Sequence, residues 1–315
     1  MEGVTVKAVQ IKEYGKDIEI NQEVKVPEIS SGKVLVKVHA AGVNPVDWKI
    51  TEGYMSQGKK LNSPMTLGGD FTGTVTDVGE GVTEYDKGDN VYGSGAVRMG
   101  GSGAYAEYLS ADAGQISKKP AKANNIEAAA LPLVGVSAWD VISNKIDLRE
   151  GQKILIHGGS GGIGSIAIQV AKYLGAYVAT TARKDKADYL KEIGADEIID
   201  YKNERFEDRL HDYDAVFDTV GGDTYKRSFR ILKKGGIIVS MLEEPDKELM
   251  DKYHVNAMGQ FTRINSAILE KLAELFDKGI IKVNVDKVFP LDKAGQALEY
   301  QRNNSVKGKV VIEID

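Results

Sequence analysis

The 315-residue chain contains no cysteine. Disulfides, thiolate metal sites and cysteine nucleophiles are therefore excluded. A chain without disulfides fits a reducing cytosol. Histidine is scarce: His39, His157, His211 and His254 are the only four. None is spaced from another as metal ligands are, and no H-E-x-x-H is present, so no metal site is expected. A G-x-S-x-G elbow and a P-loop are also missing. No stretch approaches the ~18 apolar residues that span a bilayer. The N-terminus, MEGVTVKAVQIKEYG, lacks the basic start and apolar run of a signal peptide. A cytoplasmic protein with no membrane partner is expected. Positive charge is not in excess either. The net charge is −5, so no broad basic field attracts nucleic acid.

What remains is ordinary for a globular chain, with 42% hydrophobic and 28% charged residues. At roughly 150 residues per domain, two domains are expected. Up to about residue 125 the chain is rich in valine, threonine and glycine. Val34–His39 alternates as a half-buried strand does, and GGDFTGTVTDVG and GDNVYG follow at short spacing. This pattern suggests a barrel-like or sandwich-like β domain. From Ala128 apolar strands alternate with helical segments. Strands are expected at Lys153–His157, Ala176–Thr180, Glu197–Asp200, Asp214–Val220 and Gly236–Met241, with helices over Ile163–Leu174 and Lys184–Ile193. Such alternation indicates a parallel sheet covered on both faces. An amphipathic helix is expected over Ile264–Phe276. Val306–Asp315 alternates like a strand that returns to the first domain.

Residues 157–164 read HGGSGGIG, and Gly159, Gly161 and Gly164 fit G-x-G-x-x-G. One glycine permits the tight turn, one lets backbone approach a pyrophosphate, and one lets the helix pack on the strand. The phosphates would meet the start of the helix near Gly162, where unpaired N–H groups favour negative charge. The motif follows an apolar strand and opens a helix, which is the context it requires. The next strand ends in Thr180, Thr181, Ala182 and Arg183, and no carboxylate precedes Arg183. Threonine hydroxyls and a guanidinium suit a 2′-phosphate, whereas a carboxylate suits a free 2′-hydroxyl. NADPH is the expected cofactor. Hydride transfer also suits a chain with no nucleophile or metal, because the cofactor carries the chemistry.

At this point the chain resembles the medium-chain dehydrogenase/reductase superfamily, in its zinc-free quinone oxidoreductase and enone reductase branch. The resemblance spans the chain through AAGVNPVDWK (40–49), GGDFTGTV (68–75), GDNVYG (88–93), GAYAEY (103–108), AAALPLVGVSAW (128–139), HGGSGGIGSIAIQVAKYLGA (157–176) and VKGKVVI (306–312). Zinc-dependent members carry cysteine where Asn44 stands and a His-Glu pair where Gly69 and Asp70 stand. The resemblance implies an α/β protein: a GroES-like β-barrel catalytic domain over 1–125 and 262–315, and a Rossmann doubly wound parallel-sheet domain over 126–261. It places Asn44 beside the nicotinamide ribose, and Ser137 near the nicotinamide and phosphates. Ser160, Gly161, Gly162 and Ile163 match the pyrophosphate turn, and Thr180 and Arg183 the 2′-phosphate site. Tyr201 matches a tyrosine against the adenosine, with Asp218 to Gly221 (DTVG), Val220 and Gly221 among them, on the adenine and ribose side. Met241 and Leu242 follow the fifth strand, and Lys309 lies near the nicotinamide. A homodimer is expected from the resemblance and from the prevalence of two-fold oligomers.

The resemblance implies hydride transfer to a small-molecule quinone or to the double bond of an enone. Lys49 and Tyr54, close to Asn44 in sequence, are the candidate catalytic residues: the ammonium to polarise a carbonyl, the hydroxyl to bond it or donate a proton. Asp47 and Trp48 are expected to support that loop, and Asp70 to anchor a turn. Two other readings stay open. One is a zinc-free ketone or aldehyde reductase, and the other a non-catalytic NADPH-binding sensor or structural protein.

Overall fold

The structure, a computed structural model, describes residues 4–314. Residues 1–3 and Asp315 lie outside the described residues, so the ends of the expected N-terminal and C-terminal readings are not covered. The chain divides into two compact units. One runs to Leu133 and takes back Ile264–Lys278 and Val283 onward; the other comprises Val134–Arg263 and Gly279–Lys282. The helix Asn125–Ala130 thus packs within the first unit.

The first unit is built from β1 (Thr5–Ile11), β2 (Glu19–Lys25), β3 (Lys33–Val43), β4 (Met65–Thr66), β5 (Asp70–Val78), β6 (Asn90–Ser94), β7 (Tyr108–Asp112) and β8 (Ile116–Lys118). The second supplies β9 (Lys153–His157), β10 (Tyr177–Ala182), β11 (Glu197–Asp200), β12 (Tyr213–Asp218), β13 (Leu232–Ser240) and β14 (Asn256–Gly259). β15 (Val285–Pro290) and β16 (Lys309–Glu313) then return to the first.

Within the first unit, β15, β16, β3, β5, β6 and β8 lie in that order, with β7 also on β3; β2, β1 and β4 form a smaller sheet. The eleven-residue β3 holds this arrangement together, because β16 pairs with its C-terminal end and β7 with its N-terminal end. Two glycines allow close approach. A Cβ on Gly42 would lie 2.4 Å from the Ala129 carbonyl oxygen, and one on Gly73 would lie 2.2 Å from that of Lys37. The core is apolar, with Val34, Val36, Phe71, Leu109, Ile116 and Tyr105 fully covered.

The second unit is a six-stranded, wholly parallel sheet in the order β11-β10-β9-β12-β13-β14. The strands expected from apolar runs are present, with edges moved by a few residues. β13 begins at Leu232 rather than Gly236, and β10 extends to Ala182. The helix Gly162–Tyr173 matches expectation, whereas Lys184–Ile193 divides into a tight turn at Lys184–Lys186 and a helix at Ala187–Glu192. β14 is an additional strand. The strand order reverses between β9 and β12, and in open parallel sheets ligands bind beyond the C-terminal strand ends at such a point.

Candidate functional site

Every strand of the second unit runs the same way, so residues following each strand collect along one edge of the sheet. After β9 comes the glycine turn 158–161, after β10 Arg183, after β11 Tyr201, after β12 Val220 and Gly221, and after β13 Met241 and Leu242. These candidates come from segments up to about 80 residues apart in sequence, and the parallel topology alone aligns them.

The glycine turn is shaped by close contacts. Gly158 has φ +69°, favoured by glycine. A Cβ on Gly159 would lie 2.0 Å from Thr180 Oγ1, and one on Gly164 2.3 Å from the Gly158 carbonyl oxygen. Gly161 differs: its hypothetical Cβ meets only the Gly158 oxygen, at 3.4 Å. Its outer side is open. Gly161 caps the helix Gly162–Tyr173 without a side-chain bond to the first turn. A serine or aspartate would occupy one of those N–H donors itself. Glycine leaves them for an anion, next to the positive end of a twelve-residue helix. Ser160, Gly161, Gly162 and Ile163 therefore fit the phosphates of a dinucleotide.

Thr180 does something other than expected. It is fully buried and its hydroxyl donates to the Ile156 carbonyl oxygen at 2.7 Å. With its hydroxyl committed beneath Gly159, it supports the turn and does not face a 2′-phosphate. Arg183 and Tyr201 do come together, because Ala182 pairs with Asp200 immediately before them. Arg183 is partly exposed and holds both carboxylate oxygens of Asp185, at 3.1 and 3.0 Å. Tyr201 is exposed, with the Lys202 ammonium 5.5 Å above its ring.

The loops after β12 and β13 are locked by a pair of buried residues. Asp218 Oδ1 accepts from the backbone N–H groups of Val220 and Gly221, both at 3.0 Å. Ser240 donates to Asp218 Oδ2 at 2.7 Å and accepts from Leu242 and Glu243 N–H. The Val220 and Leu242 side chains are about half exposed on these fixed loops. Sequence reasoning passed over Ser240, whose only signal is a hydroxyl ending an apolar strand. Ser137 lies elsewhere in the unit, fully buried, with its hydroxyl 2.6 Å from that of Thr262.

Within the first unit, Asn44 and Lys309 meet in a buried polar network. The Lys309 ammonium donates to the Val43 carbonyl oxygen at 2.8 Å and to Asn44 Oδ1 at 2.5 Å, and lies 3.6 Å from Asp70 Oδ2. Asn44 Nδ2 donates to the same Asp70 oxygen, and Leu133 N–H to the other. Asp47 accepts from Asn44 N–H at 2.8 Å and from the Tyr105 hydroxyl at 2.7 Å. Asp47, Asp70 and Lys309 are all buried. Burial pushes the Asp47 carboxyl up to about 6, against the bonds from Asn44 and Tyr105. Burial also pulls the Lys309 ammonium down, opposed by Asp70 and Asp47. Asp70, expected to anchor a turn, instead begins β5 as a member of this network. An ammonium lies where Asn44 and Asp70 converge, so these polar groups are satisfied internally.

Lys49 and Tyr54 gather around Trp48. The Lys49 ammonium is 5.7 Å from the indole centroid, and the exposed Tyr54 ring meets it edge-on at 6.2 Å. The Arg302 guanidinium lies 4.9 Å from the same ring and bonds Glu52. Among the described residues no three His, Cys, Asp or Glu side chains form a cluster able to hold a metal ion. Nor is any helix among them long and apolar enough to cross a membrane.

Two family models match: the alcohol dehydrogenase GroES-like domain over residues 30–121 and the zinc-binding dehydrogenase domain over 193–312. The NADPH-dependent alkenal/one oxidoreductase of Arabidopsis thaliana chloroplasts is 32% identical, over 98% of this chain and 79% of that protein. The chain belongs to the medium-chain dehydrogenase/reductase superfamily. It lies in the quinone oxidoreductase and enone reductase branch. The mitochondrial NAD(P)H oxidoreductase RTN4IP1 of Mus musculus is 30% identical, over 96% of this chain and 88% of that one. The structure of the quinone oxidoreductase from Coxiella burnetii superposes with a TM-score of 0.91 at 33% identity, covering 99% of this chain and all of that one. This superfamily member is thus an oxidoreductase with a nicotinamide cofactor. Its two units are the GroES-like and Rossmann-type folds.

Proposed function

We propose that this oxidoreductase uses NADPH, without zinc, to reduce a quinone or the carbon–carbon double bond of an α,β-unsaturated carbonyl. The observation that carries the cofactor assignment is the edge formed by the turn 158–161, Arg183 and Tyr201. It offers backbone N–H groups to a pyrophosphate and a guanidinium to a 2′-phosphate. The nearest carboxylate to Arg183, Asp185, is already held by that guanidinium. An exposed ion pair contributes about 0–1 kcal/mol, so a bidentate phosphate displaces it at little cost.

Bound NADPH supplies a hydride to an electron-poor carbon. The chain's own residues do the rest. Ser160, Gly161, Gly162 and Ile163 hold the phosphates, while Val220, Gly221, Met241 and Leu242 border the nucleoside from loops fixed by Asp218 and Ser240. Ser137, Asn44 and Lys309 order the segments assigned to the nicotinamide. The Asn44–Asp47–Asp70–Lys309 network fixes the start of the helix Pro45–Thr51, which carries Lys49. Lys49 Nζ stabilises the developing negative charge on the acceptor oxygen, and Tyr54 Oη hydrogen-bonds it or delivers a proton. Zinc independence is supported by the absence of cysteine and by Asn44 and Gly69 at family ligand positions.

The acceptor class is supported by relatives named as alkenal/one and quinone oxidoreductases. A homodimer is supported by the edge strand β14, which exposes Met258, and by the exposed Phe261 just beyond it. Relatives include mitochondrial and chloroplast proteins.

Arg183→Ala tests the cofactor assignment by titration with NADPH and NADH. The NADPH Kd is expected to rise about tenfold or more while the NADH Kd stays unchanged. Equal wild-type affinity for the two dinucleotides contradicts the assignment.

A further inference from the structure

His157 ends β9, immediately before the glycine turn, and is fully buried. Its Nε2 is 2.8 Å from Ser228 Oγ and its Nδ1 is 3.0 Å from Thr181 Oγ1. Three linked bonds decide which atom carries each proton. The Ser228 hydroxyl donates its single hydrogen to the Thr224 carbonyl oxygen at 2.7 Å. Ser228 therefore accepts at the imidazole, and His157 Nε2 bears the hydrogen. Nδ1 of the neutral ring then accepts the Thr181 hydroxyl hydrogen. With its hydrogen committed, Thr181 Oγ1 turns a lone pair to the Gly158 N–H, at 3.4 Å.

The backbone around this chain of bonds is the turn itself. Gly159 N–H donates to the Thr181 carbonyl oxygen at 3.3 Å, and Thr219 Oγ1 donates to the His157 carbonyl oxygen at 2.8 Å. A Cβ on Gly158 would lie 2.6 Å from that threonine oxygen. The imidazole also meets the Phe206 ring edge-on, with centroids 4.7 Å apart, and the Arg227 guanidinium lies over the Phe206 ring, 4.9 Å from its centroid. The ring thus ties β9 to β10, to the helix Gly222–Ser228 and to the turn Phe206–Asp208.

We propose that His157 is a positioning residue for the dinucleotide: as a neutral ring protonated on Nε2, it orients the Thr181 hydroxyl to hold Gly158 and so sets the phosphate-binding turn. The proposal rests on the dinucleotide reading above. Charging the ring makes Nδ1 a donor, so Thr181 Oγ1 would face two N–H groups with its own hydrogen displaced. The charged and titratable groups facing the ring are Asp218, Glu207 and Arg227. Desolvation outweighs the two carboxylates and lowers the imidazole to about 4. The ring therefore stays neutral across the physiological range.

The test pairs variants that keep different halves of the ring's function. His157→Asn places an acceptor oxygen close to the Nδ1 position, and His157→Gln reaches towards Ser228 instead. NADPH binding is followed by the fluorescence of the reduced nicotinamide at pH 7. His157→Asn is expected to bind within about threefold of wild type, and His157→Gln about tenfold more weakly, as the loss of one buried hydrogen bond gives. Thr181→Val is expected to weaken binding about tenfold, and Thr181→Ser to restore it. The threonine pair keeps the test decisive if the histidine variants do not fold. Long-range proton–nitrogen NMR of the wild type is expected to show hydrogen on Nε2 alone at pH 6. Wild-type affinity in Thr181→Val, tighter binding by Gln than by Asn, or hydrogen on Nδ1 overturns the proposal. A wild type that binds no dinucleotide sinks the underlying reading as well, which separates the two failures.

Discussion

Thr180 and Thr181 are neighbours with opposite duties, because successive strand side chains point to opposite faces. One hydroxyl supports Gly159 through the Ile156 carbonyl oxygen, and the other links His157 to Gly158. From sequence both read as 2′-phosphate ligands, and neither does once its hydrogen-bond partners are known. The buried titratable groups also leave a signature in stability. The His157 imidazole is lowered from 6.5 to about 4 by burial. As pH falls through 6.5 the unfolded chain takes up a proton that the folded chain refuses until about 4, so stability is lost across that window. Asp47 acts in the opposite sense. Its carboxyl is raised from 3.8 to about 6, so the folded chain binds the proton first and stability is gained on acidification from 6 to 3.8. The two act in opposite directions over overlapping pH ranges. The difference in unfolding free energy between wild type and His157→Gln isolates the histidine. Denaturant titrations between pH 7 and 4.5 are expected to show the wild type losing up to about 3 kcal/mol relative to the variant. A constant difference contradicts this account.

At the scale of elements, the glycine turn separates fold from binding. Gly159→Ala forces a Cβ onto Thr180 Oγ1, whereas Gly161→Ala meets only an oxygen at 3.4 Å and adopts an ordinary φ of −78°. Gly161→Ala is expected to melt close to the wild-type temperature and to lose NADPH binding about tenfold or more, because its methyl projects towards the phosphates. Gly159→Ala is expected to lose thermal stability as well. Binding by Gly161→Ala as tight as wild type contradicts the phosphate assignment. The turn and the strands β9 to β13 were legible because apolar runs end at glycine or at polar residues. β14, with the sequence NAMG, was not, because its pairing with β13 comes from tertiary context and not from a continuous apolar run. The Asp218–Ser240 lock was equally hidden. It joins residues 22 apart, and although Asp218 falls in the DTVG segment, nothing in the sequence pairs it with Ser240.

At the scale of the whole molecule, both units use buried polar residues to fix backbone where chemistry is proposed. In the first, Asn44, Asp47, Asp70 and Lys309 come from segments up to 265 residues apart. The returning strand β16 brings Lys309 to β3, so the network needs the C-terminal segment in register. Breaking a buried ion pair costs about 3–5 kcal/mol, so the Lys309–Asp70 contact depends on both partners staying in place. The returning strand β16 was legible as a strand from the alternation of its residues. The network was not, because a sequence does not reveal which distant polar groups converge. The central claim is that this arrangement reduces quinones or enones with NADPH. The most direct measurement follows oxidation of NADPH, and of NADH in parallel, against quinones, enones, simple ketones and aldehydes. Turnover of quinones or enones with NADPH, and little with NADH, is the result predicted. NADPH binding without turnover of any acceptor contradicts it and removes the catalytic roles proposed for Lys49 and Tyr54.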